Sequence, residues 1–400
     1  MKYIIMLCDG MADEPMEILQ GRTPMEAAKT EHMDRMASQS ELGMVRTVPE
    51  GMAPGSDTAN LSVMGYDPKK YYTGRSPVEA LSIGVDMKEA DVSFRCNLVT
   101  LSEEEECYTQ KHILDHSSDE ITTEEATVLI EALKEGLTRE GYDFYPGISY
   151  RHLLIWNHGK IVELTPPHDI LTKQIGAYLP EDPVLREMME KSYDILNHHP
   201  INEKRRARGL KPANSAWFWG AGTKPCLTSF EEEHHLKGAM ISAVDLLKGI
   251  AVGAQMDNLY VEGANGGLHT NYAGKAQAAI QALTKDGYDF VYIHVEAPDE
   301  MGHQGSVEHK IQAIEQIDAQ IIGPVLDAME GADLEFRMLV LPDHPTPVRL
   351  RTHTSDPVPY MLYDSTTIYE GGSEYSEATG KASGIQIEEG YKLLGRLLRD

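Results

Sequence analysis

Four stretches far apart in the chain end in residues that can hold or move charge. Asp9 follows the apolar run 3–7, Asp299 and His303 follow 290–295, Asp343 and His344 follow 338–341, and Ser56 sits in Ala53-Pro-Gly-Ser-Asp-Thr-Ala-Asn60. His353 comes soon after, in Arg351-Thr-His-Thr354. Aspartates and histidines in this combination suit Mn or Zn, and two such clusters on one edge suit a pair of ions ~4 Å apart. A serine in a tight turn feeding a helix adds a hydroxyl where unpaired N–H groups and the positive dipole end favour phosphate or a developing oxyanion. Taken singly, an Asp after a strand is a common cap or turn residue, a lone His is more often structural, and Ser56 can be only an N-cap. The case rests on their occurring together.

Charge arithmetic favours combining them. Asp9, Asp299, Asp343 and a deprotonated Ser56 bring four negative charges, which two divalent cations balance. A neutral cluster can accept a phosphate dianion even in a chain of formal charge -27, with Lys+Arg 36 against Asp+Glu 63. The chemistry this suits is phosphoryl transfer through a phosphoserine, because a serine oxygen held by a divalent cation is an activated nucleophile. The same acidity repels phosphate backbones and anionic membranes, so a small anionic phosphorylated substrate is expected, and neither nucleic acid nor a membrane. No G-x-x-x-x-G-K-[ST] loop and no G-x-G-x-x-G after a strand occurs, and Gly263-Ala-Asn-Gly-Gly267 misses both spacings, so no nucleotide is expected. A G-x-S-x-G elbow is also missing, which argues against an ordinary serine esterase. Cys8, Cys96, Cys107 and Cys226 form no C-x-x-C pair, and no run of ~20 apolar residues is present. A cytoplasmic location is expected, with no oligomeric state implied.

Positioning these residues requires an α/β core. The runs 3–7, 258–261, 290–295 and 338–341 read as strands buried on both faces, and in an open parallel sheet their carboxyl ends line one ligand-binding edge. Ile311, Ile314, Ile317, Ile321 and Val325 after a Ser306 N-cap, and Ile387, Tyr391, Leu394 and Leu398, read as core-facing helical stripes. The middle of the chain differs: acidic 103–106, a helix capped by Thr122 with Glu125, and a Pro-, His- and Arg-rich region to Pro212. It includes Lys204, Arg205, Arg206 and Arg208, which read as a solvated helix face or partners for local carboxylates. The expected division is a core of 1–86 and 222–400 with an inserted smaller α+β domain, 87–221.

A resemblance sharpens this reading. It is carried by Asp9-Gly-Met-Ala-Asp13, Gly55-Ser-Asp-Thr-Ala-Asn60, Tyr72-Thr-Gly-Arg-Ser-Pro77, Phe94-Arg-Cys-Asn97 and Trp217-Phe-Trp-Gly-Ala-Gly222. It continues in Lys237-Gly-Ala-Met-Ile-Ser242, Glu296-Ala-Pro-Asp-Glu-Met-Gly-His303, Pro342-Asp-His344 and His353-Thr-Ser-Asp-Pro-Val-Pro359. In this order the segments resemble the cofactor-independent (2,3-bisphosphoglycerate-independent) phosphoglycerate mutases of the archaeal-type branch of the alkaline phosphatase superfamily. The resemblance implies an alkaline-phosphatase-like fold, a mostly parallel sheet sandwiched by helices, with the insert acting as a substrate-binding lid. It implies one ion, Mn or Zn, on Asp299, His303 and His353, and another on Asp9, Ser56, Asp343 and His344. Ser56 would be the phosphorylated nucleophile in exchanging 3-phosphoglycerate and 2-phosphoglycerate, without 2,3-bisphosphoglycerate. Candidates for holding the substrate's carboxylate and phosphate are Arg75, Arg95, Arg151 and Lys224; the alternative for each is a structural ion pair. Gly263-Ala-Asn-Gly-Gly-Leu-His-Thr270 departs from the family's usual Gly-Ala-Thr-Gly, while Tyr150-Arg-His152 and Pro166-Pro-His168 fall where substrate contacts vary. A closely similar bacterial subgroup has been proposed to act as homoserine kinases, so the alternatives are a phosphotransferase acting on homoserine and a phosphatase.

Overall fold

The first apolar run becomes the strand Lys2–Cys8, buried from Ile4 onward. In this computed structural model, which describes residues 1–399, it lies parallel to Phe290–Val295 on one side and to Phe336–Leu341 on the other. All three strands are buried and mostly apolar on both faces, with His294 and Arg337 the buried polar exceptions, because helices cover both, the condition under which a parallel sheet loses the alternating pattern. The full sheet has eight strands, in the order Gln386–Ile387, Glu41–Val45, Val358–Asp364, Phe336–Leu341, Lys2–Cys8, Phe290–Val295, Gly238–Ile241, Asp257–Asn258. Only Val358–Asp364 runs against its neighbours. This is the mostly parallel α/β sheet that the sequence led us to expect.

Two expected elements came out differently. The strand expected at 258–261 is only Asp257–Asn258, an exposed edge pair beside Gly238–Ile241. The C-terminal stripe is not one helix: Gln386–Ile387 pairs with Met44 and Val45, and the helix starts only at Leu393–Leu398. Ladder pairing removes Ile387 from any helical register. The stripe after Ser306 holds, with Ser306 capping Val307–Ile317 by accepting from the His309 N–H. A π-helical turn, Asp318–Ile322, keeps Ile321 and Ile322 in the core. Its carboxylate, Asp318, accepts from the N–H groups of His32 and Met33 at the start of Glu31–Ala37.

The chain divides into two compact units, Met1–Tyr72 with Cys226–Asp400, and Thr73–Pro225. The second therefore takes in 73–86 and 222–225 as well as 87–221. Close packing explains this: a Cβ on Gly74 would lie 2.6 Å from the Ala221 carbonyl, and one on Gly222 would lie 2.4 Å from that of Thr73. The second unit is built on Val92–Leu101, which pairs antiparallel with Arg151–Trp156 and Ser215–Thr223. Helices Thr123–Gly136 and Pro183–Leu196 pack their apolar residues into its core. Thr122 caps the first, while the Glu125 side chain turns to Arg205 and Arg208. Arg206 pairs with Glu103 and Glu203, so the three arginines of the basic run are satisfied locally by carboxylates. Among the described residues no helix is long and apolar enough to cross a membrane.

Candidate active site

The carboxyl ends of the three central strands bring the sequence candidates together. Asp9 directly follows Lys2–Cys8, Asp343 and His344 follow Phe336–Leu341, and Asp299 and His303 lie on the helix Ala297–Gln304 that follows Phe290–Val295. Two groups of ligand-type atoms converge, Asp9, Asp343 and His344, and Asp299, His344 and His353, all atoms within a group being inside 4.8 Å. His303 joins the second group: its Nε2 is 2.9 Å from His353 Nε2 and 3.2 Å from an Asp299 oxygen. Gly10 allows this crowding, because at φ 61° its missing Cβ would lie 2.6 Å from Asp299 Cα.

Ser56 is the first residue of the helix Ser56–Val63, with Gly55 at the N-cap, so its hydroxyl is not spent on capping. The Ser56 Oγ lies 3.2 Å from His344 Nε2. Asn60, one turn on, donates to the Ser56 carbonyl at 2.8 Å and to Asp343 at 2.9 Å. The Tyr292 hydroxyl donates to the Asn60 carbonyl oxygen at 2.6 Å, which fixes the amide's orientation.

The electrostatics fit a cation pair. Burial, reinforced by Asp343 and Asp299, pushes the Asp9 carboxyl well above its ordinary range, and one of its oxygens, Oδ1, is buried without a hydrogen-bond partner. Burial also pushes the Asp299 carboxyl up but is outweighed by hydrogen bonds from His303 and His353, which hold it well below that range. The same bond from Asp299 raises His303 to about 9. Burial lowers His344, and it lowers His294, whose Nε2 is 2.9 Å from Asp9 Oδ2, to about 3. An orphaned buried carboxylate oxygen and two imidazole nitrogens facing each other are what a set of metal ligands presents without its metal. The residues present thus fit two divalent ions.

The cationic candidates all lie in the second unit. Arg75 and Arg95 share Glu79, at 3.1 and 3.0 Å. Arg95 is buried, stacks 4.4 Å from the Trp219 ring centre, and is lowered by that burial to about 10. Arg151 lies opposite Asn97 in the antiparallel ladder, on the face that carries Arg95. Lys224 is 3.6 Å from Asp86. His168 packs edge-on to Trp219 at 5.3 Å and His116 is 6.1 Å from His168, so an aromatic and imidazole group joins the arginines. Tyr292, His294 and Thr346 around the two ligand-type groups, and His116 here, carried no sequence signal, and Asn60 appeared only as the end of the motif that holds Ser56; their roles depend on neighbours distant in the chain.

A family model described as 2,3-bisphosphoglycerate-independent phosphoglycerate mutase matches residues 37–202. A protein of Geobacter sulfurreducens named a probable 2,3-bisphosphoglycerate-independent phosphoglycerate mutase is 48% identical over 403 residues, covering 100% of both chains. The chain belongs to this family. A phosphoglycerate mutase of the same name from Methanosarcina barkeri is 46% identical over 405 residues, again covering 100% of each. Among solved structures, the PH0037 protein from Pyrococcus horikoshii matches with TM-score 0.81 at 29% identity, covering 100% of this chain and 97% of that one. The cofactor-independent phosphoglycerate mutase from Thermoplasma acidophilum matches with TM-score 0.65 at 26% identity, covering 100% and 99%.

Proposed function

We propose that the protein is a cytoplasmic, metal-dependent phosphoglycerate mutase that exchanges 3-phosphoglycerate and 2-phosphoglycerate through a phosphoserine on Ser56, serving glycolysis and gluconeogenesis. The observation that carries this reading is Ser56, free of capping duty at a helix N-terminus, facing His344 where two carboxylate–imidazole groups converge. Two divalent ions, Mn or Zn, would be held by Asp9, Ser56, Asp343 and His344, and by Asp299, His303 and His353. Bound there, they would offset the carboxylate charge, favour the ionised serine oxygen and neutralise charge on the phosphoryl group.

The chain's own residues supply the rest. Asn60 ties Asp343 to the backbone of the serine, and His294 holds one oxygen of Asp9. The phosphoryl group leaves one glycerate oxygen for the ionised Ser56 Oγ, and the departing oxygen takes up one proton, balancing the one Ser56 gave up on ionising. The other glycerate hydroxyl then takes the group back and returns a proton to Ser56. No 2,3-bisphosphoglycerate is needed, because the serine carries the group in transit. Arg75, Arg95, Arg151 and Lys224 are proposed to hold the anionic substrate, Arg95 being set by Trp219 and Glu79.

The test is enolase-coupled turnover of 3-phosphoglycerate by metal-stripped protein given back Mn or Zn, without 2,3-bisphosphoglycerate, comparing wild type with Ser56→Ala. Turnover in the wild type and its loss in the variant are expected. A folded, metal-loaded wild type that fails to turn over but phosphorylates homoserine from ATP would replace the mutase reading.

A further inference from the structure

Thr346 lies in the loop after Phe336–Leu341, two residues past His344, and is fully buried. Its backbone is held from several sides. The carbonyl accepts from Lys310 Nζ at 2.8 Å, and the N–H donates to the Ala12 carbonyl at 3.3 Å. A Cβ on Gly302 would lie 2.6 Å from the same carbonyl oxygen. The hydroxyl therefore has little freedom in where it points.

It meets both groups of ligand-type residues. Thr346 Oγ1 donates to Asp299 Oδ1, and it lies 3.3 Å from His344 Nδ1. An ionised carboxylate only accepts, so the single hydroxyl proton goes to Asp299, and the oxygen lone pairs face the imidazole. His344 Nδ1 must then carry the hydrogen that it donates to Thr346. The other nitrogen, Nε2, is left with its lone pair, and this is the atom facing Ser56 Oγ at 3.2 Å, Asp343 at 3.4 Å and Asp9 at 3.7 Å.

We propose that Thr346 is a positioning residue: one hydroxyl orients the Asp299 carboxylate and sets the tautomer of His344, so that each group presents its lone pairs inward. The tautomer stands on geometry alone; the link to metal affinity rests on the metal-centre reading above.

The experiment uses the full chain with His344 identified in 15N-imidazole spectra by comparison with His344→Gln. Metal-free wild type is expected to show His344 protonated on Nδ1. Thr346→Val, which keeps the shape and loses the hydroxyl, is expected to lose that preference, and Thr346→Ser to retain it. In calorimetric titration with Zn, the Val variant should bind ~10- to 100-fold more weakly and the Ser variant close to wild type, the usual cost of removing a partner behind a ligand. Thr346→Ala stands in if the Val variant does not fold. A hydroxyl-less variant whose His344 stays protonated on Nδ1 would overturn the proposal, whatever the wild type turns over. Loss of the tautomer preference with unchanged Zn affinity would overturn the link to the metals, and with it the two-group role.

Discussion

Asp9 burdens the metal-free fold, and replacing it should show how much. Oδ2 accepts from His294, while Oδ1 is buried with no hydrogen-bond partner and lies 3.7 Å from His344 Nε2. Leaving a buried acceptor unpaired costs ~1–3 kcal/mol, and more when it is charged. Asp9→Asn keeps an acceptor for His294, removes the charge and puts an N–H donor toward His344, so the metal-free variant should be more stable than wild type by ~2 kcal/mol at neutral pH. The sign with pH follows from the raised Asp9 carboxyl. A group whose folded-state pKa is raised supports the fold in acid and ceases to as pH climbs through that value, so the variant's advantage should be small in acid and grow toward neutrality. Metal should reverse the ranking. At a free concentration of 100 times Kd the wild type gains ~2.7 kcal/mol, and a variant binding ~100-fold more weakly gains only ~0.4 kcal/mol there. The readout should be calorimetry or far-ultraviolet circular dichroism, because Trp156, Trp217 and Trp219, all the tryptophans of the chain, lie in the second unit. A metal-free Asp9→Asn less stable than wild type, or one that gains as much from metal, would refute the reasoning.

Other substitutions probe the supports. Lys310→Met leaves the fully buried Asp13 carboxylate without the ammonium 2.8 Å away, so urea unfolding should show a loss of ~3–5 kcal/mol, partly recovered when Asp13→Asn is added. Additive single costs in that cycle would show the pair is not coupled. Gly10→Ala forces a side chain to φ 61° and into Asp299, so thermal unfolding should show at least ~1–3 kcal/mol lost and metal titration a weaker site. Arg95→Lys gives up the guanidinium over Trp219 and the Nε contact with Glu79; KM for 3-phosphoglycerate should rise about tenfold, worth ~1.4 kcal/mol, measured below a melting temperature that also falls because Arg95 is buried. An unchanged KM would remove Arg95 from the substrate contacts.

The three central strands could be read from sequence because burial on both faces leaves largely apolar runs, each with its acid at the carboxyl end. Glu41–Val45 and Val358–Asp364 could not: a Gly at 43 and a Pro at 359 interrupt their patterns, and pairing across more than 300 residues defines them. Asp9, Asp343 and His344 are adjacent in space because their strands are neighbours, which strand-end placement anticipates. Lys310 and Thr346 were silent since each looks ordinary in its own segment, and Asp13 entered only as the end of the motif that begins at Asp9. Their arrangement appears only when the helix Val307–Ile317 sets Lys310 against the loops after two different strands. The cationic candidates show the same limit, as Arg75 and Arg95 are linked only through Glu79.

The central strand also sets a timetable. Lys2–Cys8 is synthesised long before its two partners, which begin at Phe290 and Phe336. At ~5–20 residues per second a segment apolar from Tyr3 onward waits roughly 15–60 s before either neighbour exists. The second unit, contiguous from Thr73 to Pro225, can complete its own sheet during that interval. The nascent chain thus carries an unpaired sticky strand while a later-made domain is already finished, and a holdase that covers Lys2–Cys8 during synthesis should raise the yield of folded protein more than one acting after release.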